Sequence, residues 1–269
     1  MISVHISDRK PVTRQNTRRA KHLITVRRSN KALDAAQLPV IINLNPRSLY
    51  NKSEEFKLMI DQLDCSLCFV SESWDREKYG LEQIIDIEHF QIIKNPCQRS
   101  GRGGKPALIV SKKHFFIKEL CPSTFTVPVG VEATWALLTP KSGGANSRIK
   151  SIAVCAYYYA DYTKRGVLLD HFAVAYNTIL AKFGSGTHFI LAGDSNRLNL
   201  KPILNMSSDL KQVVEVPTRK NPDAILDTII TTLSEFYQPP VTLAPLDNDR
   251  PGKGVPSDHL VVFMKPIHS

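Results

Sequence analysis

What this 269-residue chain lacks narrows its class before any motif is considered. No apolar stretch, including the longest ones such as 149–159, approaches the roughly 20 residues that a membrane-spanning helix needs. The opening Met1-Ile2-Ser3-Val4-His5 carries no apolar core of the kind that leads a secreted protein. Five cysteines, an odd number without framework spacing, exclude a disulfide scaffold. Cys65 and Cys68 have the two-residue gap of a zinc half-site or redox pair, but no second Cys/His pair follows at zinc spacing. They read as buried thiols at the start of a strand, in a reducing compartment. No internal repeat and no low-complexity segment interrupts the chain. The expectation is a soluble, intracellular protein without a membrane partner.

A hydrophobic content of 42% is ample for a core, and the length suits one large α/β domain or two small ones. Charge is unevenly placed. Residues 1–38 hold nine Lys/Arg and two acids, so they contribute +7 of the net +10. They read as a flexible basic arm ahead of a folded domain over 39–269. Such an arm suits contact with phosphate backbones or nuclear import, and equally a solvated linker from a longer polypeptide.

Apolar runs at 40–44, 67–70, 107–110, 135–138, 149–158, 188–192, 225–231 and 260–263 read as strands. Gly143-Gly144-Ala145-Asn146 supplies a turn between two of them. Helical spacing of apolar residues predicts helices over 51–63 and 167–183, the second stopped by Gly184-Ser185-Gly186. Two helices are too few to serve every crossover of a doubly wound parallel sheet. Two mixed sheets packed face to face with outer helices fit better.

Short polar motifs stand where these runs end or begin: Asn45, Glu72, Tyr157 and Asp194 at strand ends, Asp227 in Leu226-Asp227-Thr228, and Ser257-Asp258-His259 before the last strand. If the strands share one sandwich, its open edge gathers these side chains. Asp194 and Asn196 are two apart and point the same way on an extended segment; the adjacent Asp258 and His259 diverge. Hydrolysis of a phosphodiester needs neutralised phosphoryl oxygens, an in-line water and help for the leaving oxyanion. Glu72 suits a fixed anionic metal ligand, and hard oxygen donors suit Mg²⁺. Asp194 is placed to orient or deprotonate the water. Asn45 and Asn196 can position metal, phosphate or nucleophile without adding charge. His259, oriented by Asp227, is expected to stay protonated near neutral pH.

As an ordered set these motifs resemble the endonuclease/exonuclease/phosphatase (DNase I-like) superfamily, and within it the endonuclease domain of non-LTR retrotransposons. The resemblance is carried by Asn45 with Arg47-Ser48-Leu49, Glu72, Arg102-Gly103-Gly104 before Ala107-Leu108-Ile109, and Val154-Cys155-Ala156-Tyr157. It continues in Gly193-Asp194-Ser195-Asn196-Arg197, Pro217-Thr218-Arg219, Leu226-Asp227 and Ser257-Asp258-His259. It implies a four-layer α/β sandwich. It also implies Asn45, Glu72 and Asp258 about the metal (Mg²⁺, with Mn²⁺ as a substitute), Tyr157 on the phosphate, Asp194 as the water-activating acid, Asn196 as a transition-state contact and Asp227 paired with His259. Arg47, Arg197, Thr218, Arg219, Lys220 and Ser257 form the implied DNA-contacting set. Thr218 and Asp227 are separated by eight residues, room for a short hairpin at most.

The implied activity is nicking of one strand of double-stranded DNA in the nucleus, leaving a 3′-hydroxyl to prime a reverse transcriptase domain of the same element. Two other readings stay open: an abasic-site endonuclease or other phosphoesterase of the superfamily, and a non-catalytic DNA-binding relic.

Overall fold

The structure, a computed structural model, describes residues 37–74, 80–95, 104–142, 149–220, 222–248 and 257–267. Of the expected basic arm, residues 1–36 lie outside this set, as do Cys97, Arg102, Gly103 and the turn at 143–146. Gln37 and Leu38 are buried, and Leu38 belongs to the main core.

Twelve strands among the described residues form two mixed six-stranded sheets. The first contains β1 (Ile41–Leu44), β2 (Leu67–Val70), β3 (Phe90–Lys94), β4 (Ala107–Ser111), β11 (Val241–Leu243) and β12 (Val261–Met264), in the order β11-β12-β1-β2-β4-β3. The second contains β5 (Phe115–Glu119), β6 (Glu132–Pro140), β7 (Ile152–Tyr158), β8 (His188–Asp194), β9 (Lys211–Gln212) and β10 (Asp227–Thr231), in the order β5-β6-β7-β8-β10-β9. Each sheet has one parallel pair at its centre, β1 with β2 and β7 with β8. Both faces of these central strands are covered, which is why they read in sequence as continuous apolar runs.

Alternation assigns the faces. Ile41, Phe69, Val154, Ala156, Ile190, Ala192 and Ile229 point between the sheets and form the main core. Their neighbours point outward. Ile42, Leu44, Cys68 and Val70 meet Phe56 and Ile60 of α1 (Ser53–Gln62). Trp135, Cys155, Tyr157 and Leu191 meet Leu168, Phe172, Ala175 and Ile179 of α2 (Arg165–Phe183). α2 ends where Gly184, at φ +94, turns the chain away while its N–H still donates to the Leu180 carbonyl. A one-turn helix, α3 (Lys201–Leu204), completes the described helices longer than three residues. Helix, sheet, sheet and helix make the four-layer sandwich expected from the sequence. No described helix is long and apolar enough to cross a membrane.

The strands missing from the sequence reading, β3, β5, β9 and β11, are the four edge strands. β5, for example, alternates poorly and leaves Phe116, Lys118 and Glu119 exposed. A half-solvated edge has no need of an apolar run. Topology also settles where the polar motifs meet. β1 and β2 run parallel and end together, as do β7 and β8, while β10 and β12 run antiparallel to β8 and β1 and begin at that end.

Candidate active site

Asn45 follows the last residue of β1 and links the two sheets. Its amide nitrogen donates to Glu72 Oε1 at 2.8 Å and to Asp194 Oδ2 at 2.9 Å, and its Oδ1 accepts from the Arg47 backbone at 3.1 Å. Both faces of the carboxamide are thereby used. Glu72 Oε2 accepts the Trp74 indole N–H at 2.9 Å. Asp194, the last residue of β8, donates its backbone N–H to Ser71 Oγ at 2.9 Å, a second tie across the sheets. Its Oδ1 accepts from the Asn196 backbone at 2.8 Å, and Asn196 Nδ2 donates to the Tyr159 carbonyl at 2.6 Å.

Asp227 stands directly opposite Asp194 in the β8–β10 ladder, so both carboxylates emerge on the inner face. Asp227 Oδ2 lies 2.7 Å from His259 Nδ1, and His259 Nε2 lies 3.9 Å from Asp194 Oδ2. Among the described residues, Asn45, Glu72, Asp194, Asn196, Asp227 and His259 thus form one connected cluster at the sheet ends.

Glycine at 193 is a condition of this geometry: a Cβ there would sit 1.9 Å from the Tyr157 carbonyl oxygen. Gly104, at φ +65, plays a similar part nearby, since a Cβ would strike the Glu132 carboxylate. Non-glycine residues at positive φ gather around the site: Arg47, Ser48, Trp74, Lys105 and Asn196, with Asp64 at the end of α1 as the sixth among the described residues. Such conformations cost energy and persist where surrounding contacts over-determine them.

Burial and charge set the protonation pattern. Burial first, and then the Asp227 charge, raise the Asp194 carboxyl to about 7, against the pull of His259 and its hydrogen bonds. Burial opposes charging of His259, but the Asp227 hydrogen bond and the charges of Asp227, Asp194 and Asp258 prevail and raise it to about 9. The proton on the short Asp227–His259 bond therefore belongs to the imidazole. The result is a charged ring facing a carboxylate poised to exchange a proton near neutrality.

Three carboxylates, Glu72, Asp194 and Asp227, face one imidazolium, leaving a formal surplus of negative charge in a buried site. That donor set fits a hard divalent cation. Glu72 accepts from Asn45 on one oxygen and from Trp74 on the other and lies within hydrogen-bond reach of the Tyr158 hydroxyl, all neutral groups that leave its charge uncompensated. Asp194, Asp227 and His259 also offer ligand atoms within 4.8 Å of one another, close enough to hold an ion. There, however, His259 Nδ1 is already bonded to Asp227 and the charged ring repels a cation. The Glu72 side fits better.

The remaining expected residues fall differently. Tyr157 does not face the cleft: it is fully buried on the α2 side, its hydroxyl 2.6 Å from Thr228 Oγ1 and its ring edge-on to Phe172. Its neighbour Tyr158, in register with Asp194, is on the site face, its hydroxyl pushed up by burial and by the charges of Glu72 and Asp194. Thr218 is fully buried, and its hydroxyl accepts the Leu226 and Asp227 amides at 2.9 Å. Ser257 is buried too; its Oγ donates to the Asn45 carbonyl at 2.6 Å and accepts from the His259 backbone at 3.1 Å. These two hydroxyls brace Asp227, Asn45 and His259 and have no surface to offer DNA.

Asp258 faces Arg47 and Arg219. Lys220 and Arg197 are exposed. The short hairpin between Thr218 and Asp227 is closed by the Arg219–Ala224 bridge, and a second bridge joins Arg219 to His259. Cys65 and Cys68 are buried free thiols 3.4 Å apart at the start of β2. The sequence reading missed Tyr158, Trp74 and Ser71. Parity along β7 and β8 was the available signal for the first.

No protein-family profile matches the sequence, and no curated protein matches it. Solved structures do. The endonuclease domain of TRAS1, a telomere-specific non-LTR retrotransposon, superposes with a TM-score of 0.58 at 12% identity, over 86% of this chain and 99% of that one. An AP endonuclease from Archaeoglobus fulgidus gives 0.57 at 13% identity, over 86% and 100%. A mannosyl-6-phosphatase of Bacteroides thetaiotaomicron gives 0.59 at 14% identity, over 86% and 100%. The fold is the DNase I-like sandwich.

Proposed function

We propose that this chain is a Mg²⁺-dependent DNA endonuclease that nicks one strand of duplex DNA in the nucleus, leaving a 3′-hydroxyl from which a reverse transcriptase of the same element primes. The observation that carries the reading is the Glu72–Asn45–Asp194 chain of hydrogen bonds facing the Asp227–His259 pair. The fold shared with the TRAS1 endonuclease domain supports it.

Asp194 takes a proton from water as the water oxygen bonds to phosphorus. The charged His259 donates to a non-bridging oxygen as negative charge builds there. Asn196, fixed through the Tyr159 carbonyl, orients the nucleophile or that oxygen. The bond from phosphorus to the 3′-oxygen breaks, and the leaving oxygen picks up a proton from solvent. Bound Mg²⁺, or Mn²⁺ in its place, held by Glu72 with Asn45 beside it, supplies charge neutralisation on the phosphoryl oxygens.

Supercoiled plasmid incubated with the protein and Mg²⁺ is expected to yield relaxed circles whose ends a DNA polymerase extends. Asp194→Ala should slow this by about 10²–10⁴-fold, the usual worth of a general base. Wild type that makes no relaxed circles, or a variant indistinguishable from it, sinks the proposal. The phosphatase with the same fold favours a second reading, a phosphomonoesterase. Faster turnover of a soluble monoester than of duplex would establish that reading instead.

A further inference from the structure

Asp258 occupies the place in Ser257-Asp258-His259 where the resemblance implies a residue about the metal, yet its carboxylate lies in charge contact with two guanidinium groups, with no hydrogen bond at its Oδ1 or at Arg219 Nε among the described residues. Arg219 Nε lies 2.8 Å from its Oδ2 and Arg47 Nε lies 3.5 Å from its Oδ1. All three side chains are partly open to solvent, at 36%, 39% and 31%. The group is therefore at the lip of the cleft and not in its floor. It is also next to the reacting centre, because Asp258 Oδ1 is 3.9 Å from His259 Nε2.

Each arginine is held by its backbone as well. Arg47 sits at φ +47 with its N–H donated to Asn45 Oδ1, and Arg219 is bridged to His259 and to Ala224 across the hairpin. Two cations on one anion leave a net positive charge. With both arginines facing Asp258 through Nε, their terminal amino nitrogens can meet the oxygens of an incoming anion.

We propose that Asp258 is a positioning residue for a two-arginine clamp, Arg47 and Arg219, that grips a backbone phosphate of nucleic acid beside the one being cut, and that it is not a metal ligand. The inference rests on the reading of the site given above and assigns the cation to the Glu72 side alone. Two guanidiniums beside Asp258 repel a divalent ion, whereas the contacts of Glu72 among the described residues, with Asn45, Trp74 and Tyr158, include no cation.

Two measurements that need no turnover test it. In the first, duplex oligonucleotide is bound in EDTA across a salt series. Arg47→Ala and Arg219→Ala are each expected to flatten the slope of log affinity against log salt by about one, the value of one phosphate contact. Asp258→Asn combined with Arg47→Ala should cost less than the sum of the separate losses, as for residues acting through one another. In the second, Mn²⁺ alone is titrated calorimetrically. Asp258→Asn should keep its affinity within about twofold, while Glu72→Gln loses about tenfold or more. An unchanged salt slope in both arginine variants, or a Mn²⁺ loss in Asp258→Asn as large as in Glu72→Gln, overturns the clamp. A wild type that binds duplex and Mn²⁺ in this way but never nicks plasmid overturns the endonuclease reading instead, so the two failures are separable.

Discussion

His171 on α2 accepts the Trp135 indole N–H on its Nε2 at 3.0 Å and is buried among Trp135, Phe125 and Phe172. Burial holds its pKa near 4, below the ordinary 6.5. In the unfolded chain the ring protonates more readily, so its contribution is complete above about 6.5 and is lost as pH falls toward 4. Near pH 5 the loss should be about 2 kcal/mol, seen in denaturant titrations at two pH values and abolished by His171→Leu. Asp227→Asn should bring the same force to bear on His259: with its main support gone, burial weighs more and the imidazole titrates well below 9, which NMR would follow directly.

Single residues also mark the limits of what the sequence disclosed. Strand-end placement made Asn45, Glu72, Asp194, Asp227 and His259 visible as one set. The choice between Tyr157 and Tyr158 depends on which of two adjacent residues faces inward, and a run of three tyrosines hides that parity. Nothing in the sequence around Asp258 discloses the two arginines, 211 and 39 positions upstream, that lie beside its carboxylate. Thr218 and Ser257 were legible as important, but only burial shows that their hydroxyls serve the backbone.

At the scale of elements, the parallel pair β7–β8 carries the greatest constraint. Tyr157 and Gly193 are register partners, and no side chain fits between them. Gly193→Ala should therefore destabilise the fold by about 1–3 kcal/mol through overpacking, read as a lower melting temperature. Gly186→Ala, where nothing lies within 4 Å of the added carbon, serves as the neutral comparison. The central strands and both long helices were readable because burial on every face, or on one stripe, demands an apolar pattern. β3, β5, β9 and β11 were not, because edges are held by ladder hydrogen bonds that leave little trace in side-chain choice.

For the molecule as a whole, charge and fold are separately located. Most of the net positive charge lies in residues 1–38, while the described sandwich carries the cluster of acids and the imidazole. Removing residues 1–36, which spares the buried Gln37 and Leu38, should weaken duplex binding and flatten its salt dependence while leaving the melting temperature in place. An unchanged salt slope would assign the arm to a linker.

One carboxamide on the first sheet holds an acid on each, and one serine hydroxyl on the first sheet receives the backbone of the second at its working residue. Cohesion of the two halves and the alignment of the acid cluster are therefore one property. A denaturant dose too low to melt either half, yet enough to let one slip past the other by about an ångström, parts Asn45 from Asp194 while the helices persist.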